Sequence, residues 1–458
     1  MSAYKFNVTP QEVPEVQTKF REIKTQIPAP GTAEILERLN NTESRSMQGQ
    51  LPIIWAKADD FSVYDIAGNR WIDFTSTIFV ANVGHSNAAV TSAMKALLEE
   101  PLYSCYAYGN VKRVEYLEKL ISFCGDPFQK AFLLSAGTEA TEAAMKLMRM
   151  HAKKTLKKRR GIICVENNWH GRTLGAQMMS SNLPQREWIG YHDKDIHFIA
   201  FPYPWQVDEA NGAAFFRESI KNLELSGVNF ETDICGFMLE TFQGWGAVFY
   251  PKSFVQEIEN FCRTYGILLT FDEMQAGFGR TGRKFGYMHY GATPDLICVG
   301  KGMGGGVPLS GVVGRADILD LPEIGNMSST HSANPLVCVA GMAVLEELET
   351  KNLVAEAERR GQILRTGLEA IKKLFPDQIS WVLGEGLIMA VIFRDKNSGQ
   401  PDAKTASQVS ERCMMKGLLV VHTGRESIKI GPPLTISDAA LLEGIAVFKE
   451  AIAEILAE

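Results

Sequence analysis

The sequence predicts an α/β protein: a large domain on a mostly parallel sheet covered by helices on both faces, followed by a smaller α+β domain. Three observations carry this. From about residue 85, short apolar runs alternate with longer amphipathic stretches. The runs are apolar on both faces, as in a sheet buried between two helical layers. After Pro335 a long helical stretch precedes several strands and a final helix, the segregated order of an α+β unit. At 458 residues and 45% hydrophobic content, the chain supplies a large core with a smaller partner.

The elements follow in order. Residues 1–50 are polar and broken by Pro28 and Pro30, and read as an arm or a peripheral helix. FSVYDIAGNRWIDF (Phe61–Phe74) alternates about a Gly-Asn turn and predicts a short hairpin. The apolar runs are KAFLLS (130–135), GIICVE (161–166), IHFIAF (196–201), DICGFMLE (233–240), GILLTFDE (266–273), DLICVG (295–300) and LSGVVG (309–314). A helical stretch over about 335–374 leads into ISWVLGEGLIMAVIF, GLLVVHT, SIKIGPPL and the last helix. There is no internal repeat and no low-complexity tract.

Composition narrows the function. A formal net charge of −6 argues against nucleic acid or an anionic membrane as partner. No run has the length of a membrane-spanning helix. The opening MSAYKFNVTPQEVPEVQTKF has no apolar signal core. The eight cysteines are scattered without a C-x-x-C pair, and read as small buried hydrophobes in a reducing compartment. A cytoplasmic enzyme without a metal site is expected. The basic run HAKKTLKKRRG (151–161) reads as the solvated C-terminal end of a helix, where cations suit the macrodipole.

Ligands of open α/β sheets bind at the carboxyl ends of the strands, so the residues just after each apolar run are the candidates. After AFLLS, Gly137 and Thr138 stand where a strand turns into a helix, a place for a phosphate; taken alone, Thr138 is an ordinary helix cap. After GIICVE comes NNWHGRT, in which Trp169 offers a stacking face and Arg172 a fork for a carboxylate; taken singly, each is equally a packed edge and a surface pair. Glu240 and Asp272 each follow a long apolar run, where an unpartnered carboxylate is costly. Asp272 is read as a structural salt bridge or as the counter-charge of a protonated heterocycle. Lys301 ends the run Leu296–Val299 within PDLICVGKGMGGGVPLSG. Its glycines follow the lysine, so the segment is no nucleotide P-loop. A buried lysine loses its proton readily and forms Schiff bases. A phosphate site, a stacking ring, a buried acid and an amine at successive strand ends together match pyridoxal 5′-phosphate.

The same stretches resemble the class III (ω-amino acid type) aminotransferases, within fold type I of the pyridoxal phosphate enzymes. The resemblance runs from DIAGNRWIDFTS and NVGH to GPPLTI, through SAGTEATEAAMK, NWHGRT, ETFQG, FDEMQAGFGRTG, PDLICVGKGMGGGVPLSG and STHSANP. It implies a large cofactor-binding domain (81–335) with a mostly parallel seven-stranded sheet. It also implies a small α+β domain drawn from both termini (1–80 and 336–458). Lys301 matches the lysine that joins the cofactor's aldehyde and shuttles the proton. Asp272 matches the acid paired with the pyridinium nitrogen, and Gln275 the side chain near the phenolic oxygen. Gly137 and Thr138 match the phosphate cup, and Trp169 the stacking position. Thr330 matches a threonine that reaches the phosphate of the neighbouring subunit's cofactor, with Ser329 beside it, which implies a homodimer or higher homo-oligomer. Arg172 matches an arginine that binds a substrate carboxylate, and Glu240 a glutamate that pairs with a second, switchable arginine.

That second arginine is where the sequence departs. Relatives commonly read Arg-x-x-Pro-Pro-Leu; here KIGPPL puts Lys429 at the position, with a charge but no bidentate fork. Arg425 is nearby in sequence. Trp245 and His331 also depart from the residues usual at their positions. The implied reaction is transfer of an amino group from an ω-amino acid of the 4-aminobutyrate type, or a similar primary amine, to a keto acid or aldehyde. The alternatives on the same scaffold are an amino-acid racemase or epimerase, an aminomutase, and an aminotransferase for a diamine or an amino sugar. A non-catalytic scaffold protein is a third class, opposed by the intact Lys301 and Asp272.

Overall fold

The computed structural model describes residues 4–100 and 102–458; residues 1–3, the beginning of the predicted N-terminal segment, lie outside the described residues. All seven apolar runs form strands of one sheet: β1 (Lys130–Leu134), β2 (Gly161–Val165), β3 (Ile196–Ile199), β4 (Ile234–Glu240), β5 (Leu268–Asp272), β6 (Leu296–Val299) and β7 (Ser310–Gly314). Their order is β1-β7-β6-β5-β4-β2-β3. Every pair is parallel except the two made by β7.

Both faces are buried, which is why the runs lack alternation. On β6, Leu296 and Cys298 pack beneath helix α1 (Gly137–Lys154), while Ile297 and Val299 join the larger core on the other face. Seven of the eight cysteines are buried and all eight are free thiols. The basic run closes α1 as expected. Lys157 donates to the carbonyls of Phe230 and Tyr265, and Arg149 and Arg159 pair with Asp193 and Asp195.

The single helical stretch expected over 335–374 is two helices, α2 (Pro335–Thr350) and α3 (Leu353–Leu374). Asn352 breaks them with φ 50°, a left-handed conformation that asparagine tolerates. Beyond them an antiparallel sheet is made by β8 (Ile379–Glu385), β9 (Ile388–Phe393), β10 (Val421–His422) and β11 (Ser427–Ile430), in the order β8-β9-β11-β10. The N-terminal hairpin forms as read: Ser62–Asp65 pairs with Arg70–Asp73, and Leu418–Leu419 adds to it in parallel. Segments from the two ends of the chain thus share a sheet. Among the described residues, no helix is long and apolar enough to cross a membrane.

Two features had no signal in the patterning. Ser76, Thr77, Ile78 and Phe79 all have positive φ, from 46° to 69°, a left-handed turn without a single glycine. Such a residue costs roughly 1–2 kcal/mol. The Asp73 carboxylate offsets this by accepting the N–H groups of Thr75 and Ser76 at 2.8 and 3.0 Å. The second feature is Arg280, fully buried and, among the described residues, without a carboxylate within ion-pair distance. Its guanidinium donates to the carbonyls of Leu387 and Pro432, to Asn82 Oδ1 at 2.7 Å and to Ser76 Oγ at 3.3 Å. It therefore joins the loop after β5 to the left-handed turn and to the C-terminal sheet. Arg280→Ala leaves those acceptors buried and unpaired, and is expected to cost about 3–5 kcal/mol. Urea unfolding, with the midpoint falling at an unchanged slope, checks this.

Candidate active site

The parallel register assembles the site. β4 and β5 pair so that Glu240 lies directly beside Asp272, and β6 ends two residues before Lys301. The turns after β1 and β2 complete a narrow cleft of about 70 Å³ lined by Gly137, Thr138, Trp169, His170, Glu240, Asp272, Gln275 and Lys301. Seven of these were expected from the sequence. His170, within NNWHGRT, was given no role there.

The structure assigns His170 a partner. Its Nδ1 lies 2.9 Å from Asp272 Oδ2, while Asp272 Oδ1 accepts the N–H of Met274 at 3.0 Å. The Asn168 amide donates to His170 Nε2 at 2.6 Å, which leaves the ring proton on Nδ1, facing the carboxylate. The His170 backbone is tied to Ser180 Oγ and Thr141 Oγ1. Asp272 is thus a buried carboxyl group held by two partners, a histidine and a backbone N–H, with no arginine or lysine paired to it among the described residues.

At the opposite end of the cleft, α1 begins. The Glu139 carboxylate accepts the N–H groups of Ser135 and Ala136, both at 2.9 Å, from the outer side. No partner is found among the described residues for the N–H groups of Gly137 and Thr138, the donors a phosphate would take. Gly171 lies against them with φ 139°, and a Cβ there would meet Thr138 Oγ1 at 2.4 Å. Only glycine leaves this cradle open.

Lys301 has φ 46°, an uncommon conformation for its residue type. The glycines around it answer for close approaches. A Cβ at Gly300 would meet Met274 Sδ at 2.6 Å, and one at Gly302 the Asn82 amide at 2.3 Å. Burial lowers the basicity of the Lys301 amine, against the pull of Asp272 and Glu240. That direction favours the free amine, the nucleophilic form.

The remaining candidates divide. Glu240 accepts the Trp169 N–H at 2.9 Å; burial first, and Asp272 second, push its carboxyl up to about 8. Lys429 projects from β11 and donates to Gln275 Oε1 at 3.1 Å. Burial, reinforced by Lys301 and opposed by Glu240, pushes its amine down to about 7. Arg172 is exposed and stacks its guanidinium 4.4 Å from the Trp169 ring, outside the cleft lining. Arg425 does not take the place of Lys429; it is exposed and stacked 4.0 Å from the ring of Trp245. Trp245 is held by its Nε1 on Gln243 Oε1 at 2.8 Å. His331 is exposed. Ser329 bonds Ser332, which reaches Ser135, and Thr330 is exposed, so neither lines this chain's own cleft.

The donor set fits pyridoxal 5′-phosphate. There are free helix N–H groups under a glycine cradle for the phosphate and an oriented carboxylate for the ring nitrogen. An indole lines the same cleft, and a lysine of lowered basicity is there for the aldehyde.

The comparisons agree with this geometry. Residues 44–452 match the family described as aminotransferase class-III. A probable 4-aminobutyrate aminotransferase of Bacillus subtilis is 32% identical over 91% of this chain and 97% of its own. A leucine/methionine racemase of Thermococcus litoralis is also 32% identical, over 92% and 96%. The PLP-bound amine transaminase from an uncultivated Pseudomonas species superposes with a TM-score of 0.81 at 26% identity, over 90% of this chain and 97% of that one. The chain belongs to the class-III aminotransferases, enzymes that work with pyridoxal 5′-phosphate, and has their fold type I architecture.

Two outcomes follow from the site. Gly171→Ala strains the backbone and closes the cradle, costing roughly 2–4 kcal/mol; titration of the apoprotein with pyridoxal phosphate will show weakened binding. Lys429→Met removes a buried amine whose folded value, about 7, lies below its ordinary 10.5. The folded state therefore binds fewer protons than the unfolded chain between those values, and stability of the parent rises with pH there. The variant is expected to be more stable than the parent at pH 7 and below, by a few kcal/mol in order of magnitude, with the gap closing toward pH 10. Thermal melts across that range measure it.

Proposed function

We propose that this class-III aminotransferase takes its amino group from an ω-amino acid of the 4-aminobutyrate type, or a similar primary amine, and passes it to a keto acid or aldehyde. The observation that carries the reading is the cleft itself: Lys301 and Asp272 at the ends of adjacent strands, with the α1 N-terminus opposite. When bound, pyridoxal phosphate supplies an aldehyde for amines and a ring that accepts the electrons left when a substrate carbon loses its proton.

The chain's residues do the rest. The N–H groups of Gly137 and Thr138 hold the phosphate end. Asp272, kept in place by His170 and the Met274 N–H, holds an anion at the ring nitrogen. Trp169 would offer its indole to the ring and Gln275 its amide to the phenolic oxygen. Lys301 Nζ would take the proton from the substrate carbon and return it across the nitrogen, to the carbon that was the cofactor's aldehyde; its lowered basicity suits both halves of that task. Arg172 and Lys429 receive carboxylates of the two substrates, and Glu240 favours the charged form of Lys429.

Ser329 and Thr330 stand outside their own cleft, which supports their serving the cleft of a second copy in a homodimer. Free cysteines throughout support a cytoplasmic setting. A second reading, racemisation of an amino acid, is favoured by the racemase relative and by the loss of an arginine fork at Lys429. The two part in a half-reaction. The purified protein, given 4-aminobutyrate without acceptor, should change its cofactor absorption to that of the aminated form. If no amine does this while an amino acid loses optical purity, racemisation replaces transfer. Lys301→Ala should abolish the change, and Asp272→Asn should slow it roughly 10²–10⁴-fold.

A further inference from the structure

We propose that the outer face of α1 carries a second binding site, for a polyphosphate joined to a flat apolar group, as in a nucleoside triphosphate. The site is separate from the cleft and does not depend on the amino-transfer reading.

The starting observation is an open groove of about 490 Å³ between α1 and the turn after β2, several times the volume of the cleft. Its size suits a small-molecule ligand. Glu142, Met145, Lys146, Arg149, Met150 and Lys153 line it from α1. They recur at intervals of three and four, which puts them on one side of the helix. The opposite side, with Ala140, Ala144, Leu147 and Met148, packs on the sheet. Leu174 lines the groove from the turn, and Arg160, the residue before β2, adds a further cation.

The lining holds four cations and one carboxylate, in a chain whose formal net charge is −6. The carboxylate is already occupied. Glu142 Oε1 accepts the Thr173 hydroxyl and the Gly175 N–H, both at 2.7 Å, and so belongs to the end of the groove beside Leu174. Lys153 lies eleven residues further along α1, a rise of about 16 Å. The basic run divides at this far end. Lys154 and Arg159 pair with Asp317 and Asp195. Lys153 and Arg160 are exposed and have, among the described residues, neither a side-chain hydrogen bond nor a carboxylate within ion-pair distance. Arg149, between the two ends, pairs with Asp193 at 2.6 Å, but its buried Nε has no acceptor. A multiply charged phosphate matches such a set, because arginine forks and lysine ammonium groups both receive its oxygens.

The middle of the groove is apolar. Met145 and Met150 form it, and thioethers make favourable contacts with aromatic rings. Leu174, 43% exposed, extends the apolar surface. Polarity therefore runs along the groove, apolar near Leu174 and cationic near Arg160. A nucleoside triphosphate has the same polarity, with its base at one end and its charge at the other. A lone carboxylate or phosphate meets only the cationic end and leaves the apolar one open to water.

The test is calorimetry on the holoenzyme with ATP in the presence of a chelator, with inorganic triphosphate and adenosine as separate arms. One ATP per chain is expected, triphosphate binding more weakly and adenosine more weakly still. Replacing Lys153 and Arg160 together by alanine should weaken ATP about tenfold or more. The cofactor's absorption should not change, because neither residue lines the cleft. Lys154→Ala combined with Lys158→Ala removes two cations of the same run outside the groove, and should leave ATP affinity within about twofold, since exposed charges are screened over such distances. Leu174→Glu should weaken ATP but not triphosphate. Absence of ATP binding at millimolar concentration, equal losses in the two double variants, triphosphate as tight as ATP, or release of the cofactor by ATP overturns the proposal. If the parent binds no ATP and the Lys153→Ala, Arg160→Ala protein changes its sedimentation, the groove is a contact between copies of the chain and the proposal falls.

Discussion

The buried guanidinium of Arg280 is the constraint on which the site depends. One planar group reaches Asn82, Ser76, Leu387 and Pro432, residues from three separate stretches of the chain. Each contact leads to the chemistry. Asn82 packs where a side chain at Gly302 would stand, and so fixes the loop that presents Lys301. Ser76 anchors the left-handed turn and hence Phe79. Pro432 follows Gly431, which follows the strand carrying Lys429. Arginine suits this role because its fork satisfies several carbonyls while keeping its charge when buried. A neutral side chain of similar size could not answer so many acceptors.

A second constraint is the arrangement of charge across the strand ends. Parallel pairing of β4 and β5 places Glu240 beside Asp272. Two carboxylates so close do not ionise equally; the more poorly solvated one retains its proton. Asp272 has a histidine and a backbone N–H, whereas Glu240 is pushed up to about 8. The two lysines differ likewise from their ordinary state: burial lowers the basicity of both, and Lys301 further disfavours a charge on Lys429.

Much of this was legible from residue pattern. Seven doubly apolar runs became seven strands, because burial on both faces leaves a signature in every residue of the run. Strand ends then located Gly137, Trp169, Glu240, Asp272 and Lys301, because the topology of an open sheet determines where its ligands lie. What stayed hidden depends on pairing across long stretches of chain. His170 meets Asp272 across 102 positions, and nothing local in NWHGRT singles the histidine out. The turn at Ser76–Phe79 was illegible for another reason: positive φ is announced by glycine, and here side-chain hydrogen bonds do glycine's work. The break at Asn352 escaped because helical periodicity continues across it.

The glycines after Lys301 also have a physical reading that their number alone does not suggest. Permissive backbone is needed at few of them; Gly305 and Gly306 have positive φ, but Gly300, Gly302 and Gly304 do not. At these three the constraint is space. The chain turns under Met274, against Asn82 and back on the carbonyl of Val307, with no room for a methyl group at any of them. A lysine at the end of a strand would ordinarily extend toward water. Close packing on both sides of its backbone is what turns this one inward, so that its amine enters the cleft half-buried. The same exclusion that makes the position costly for a charge makes the amine available for chemistry.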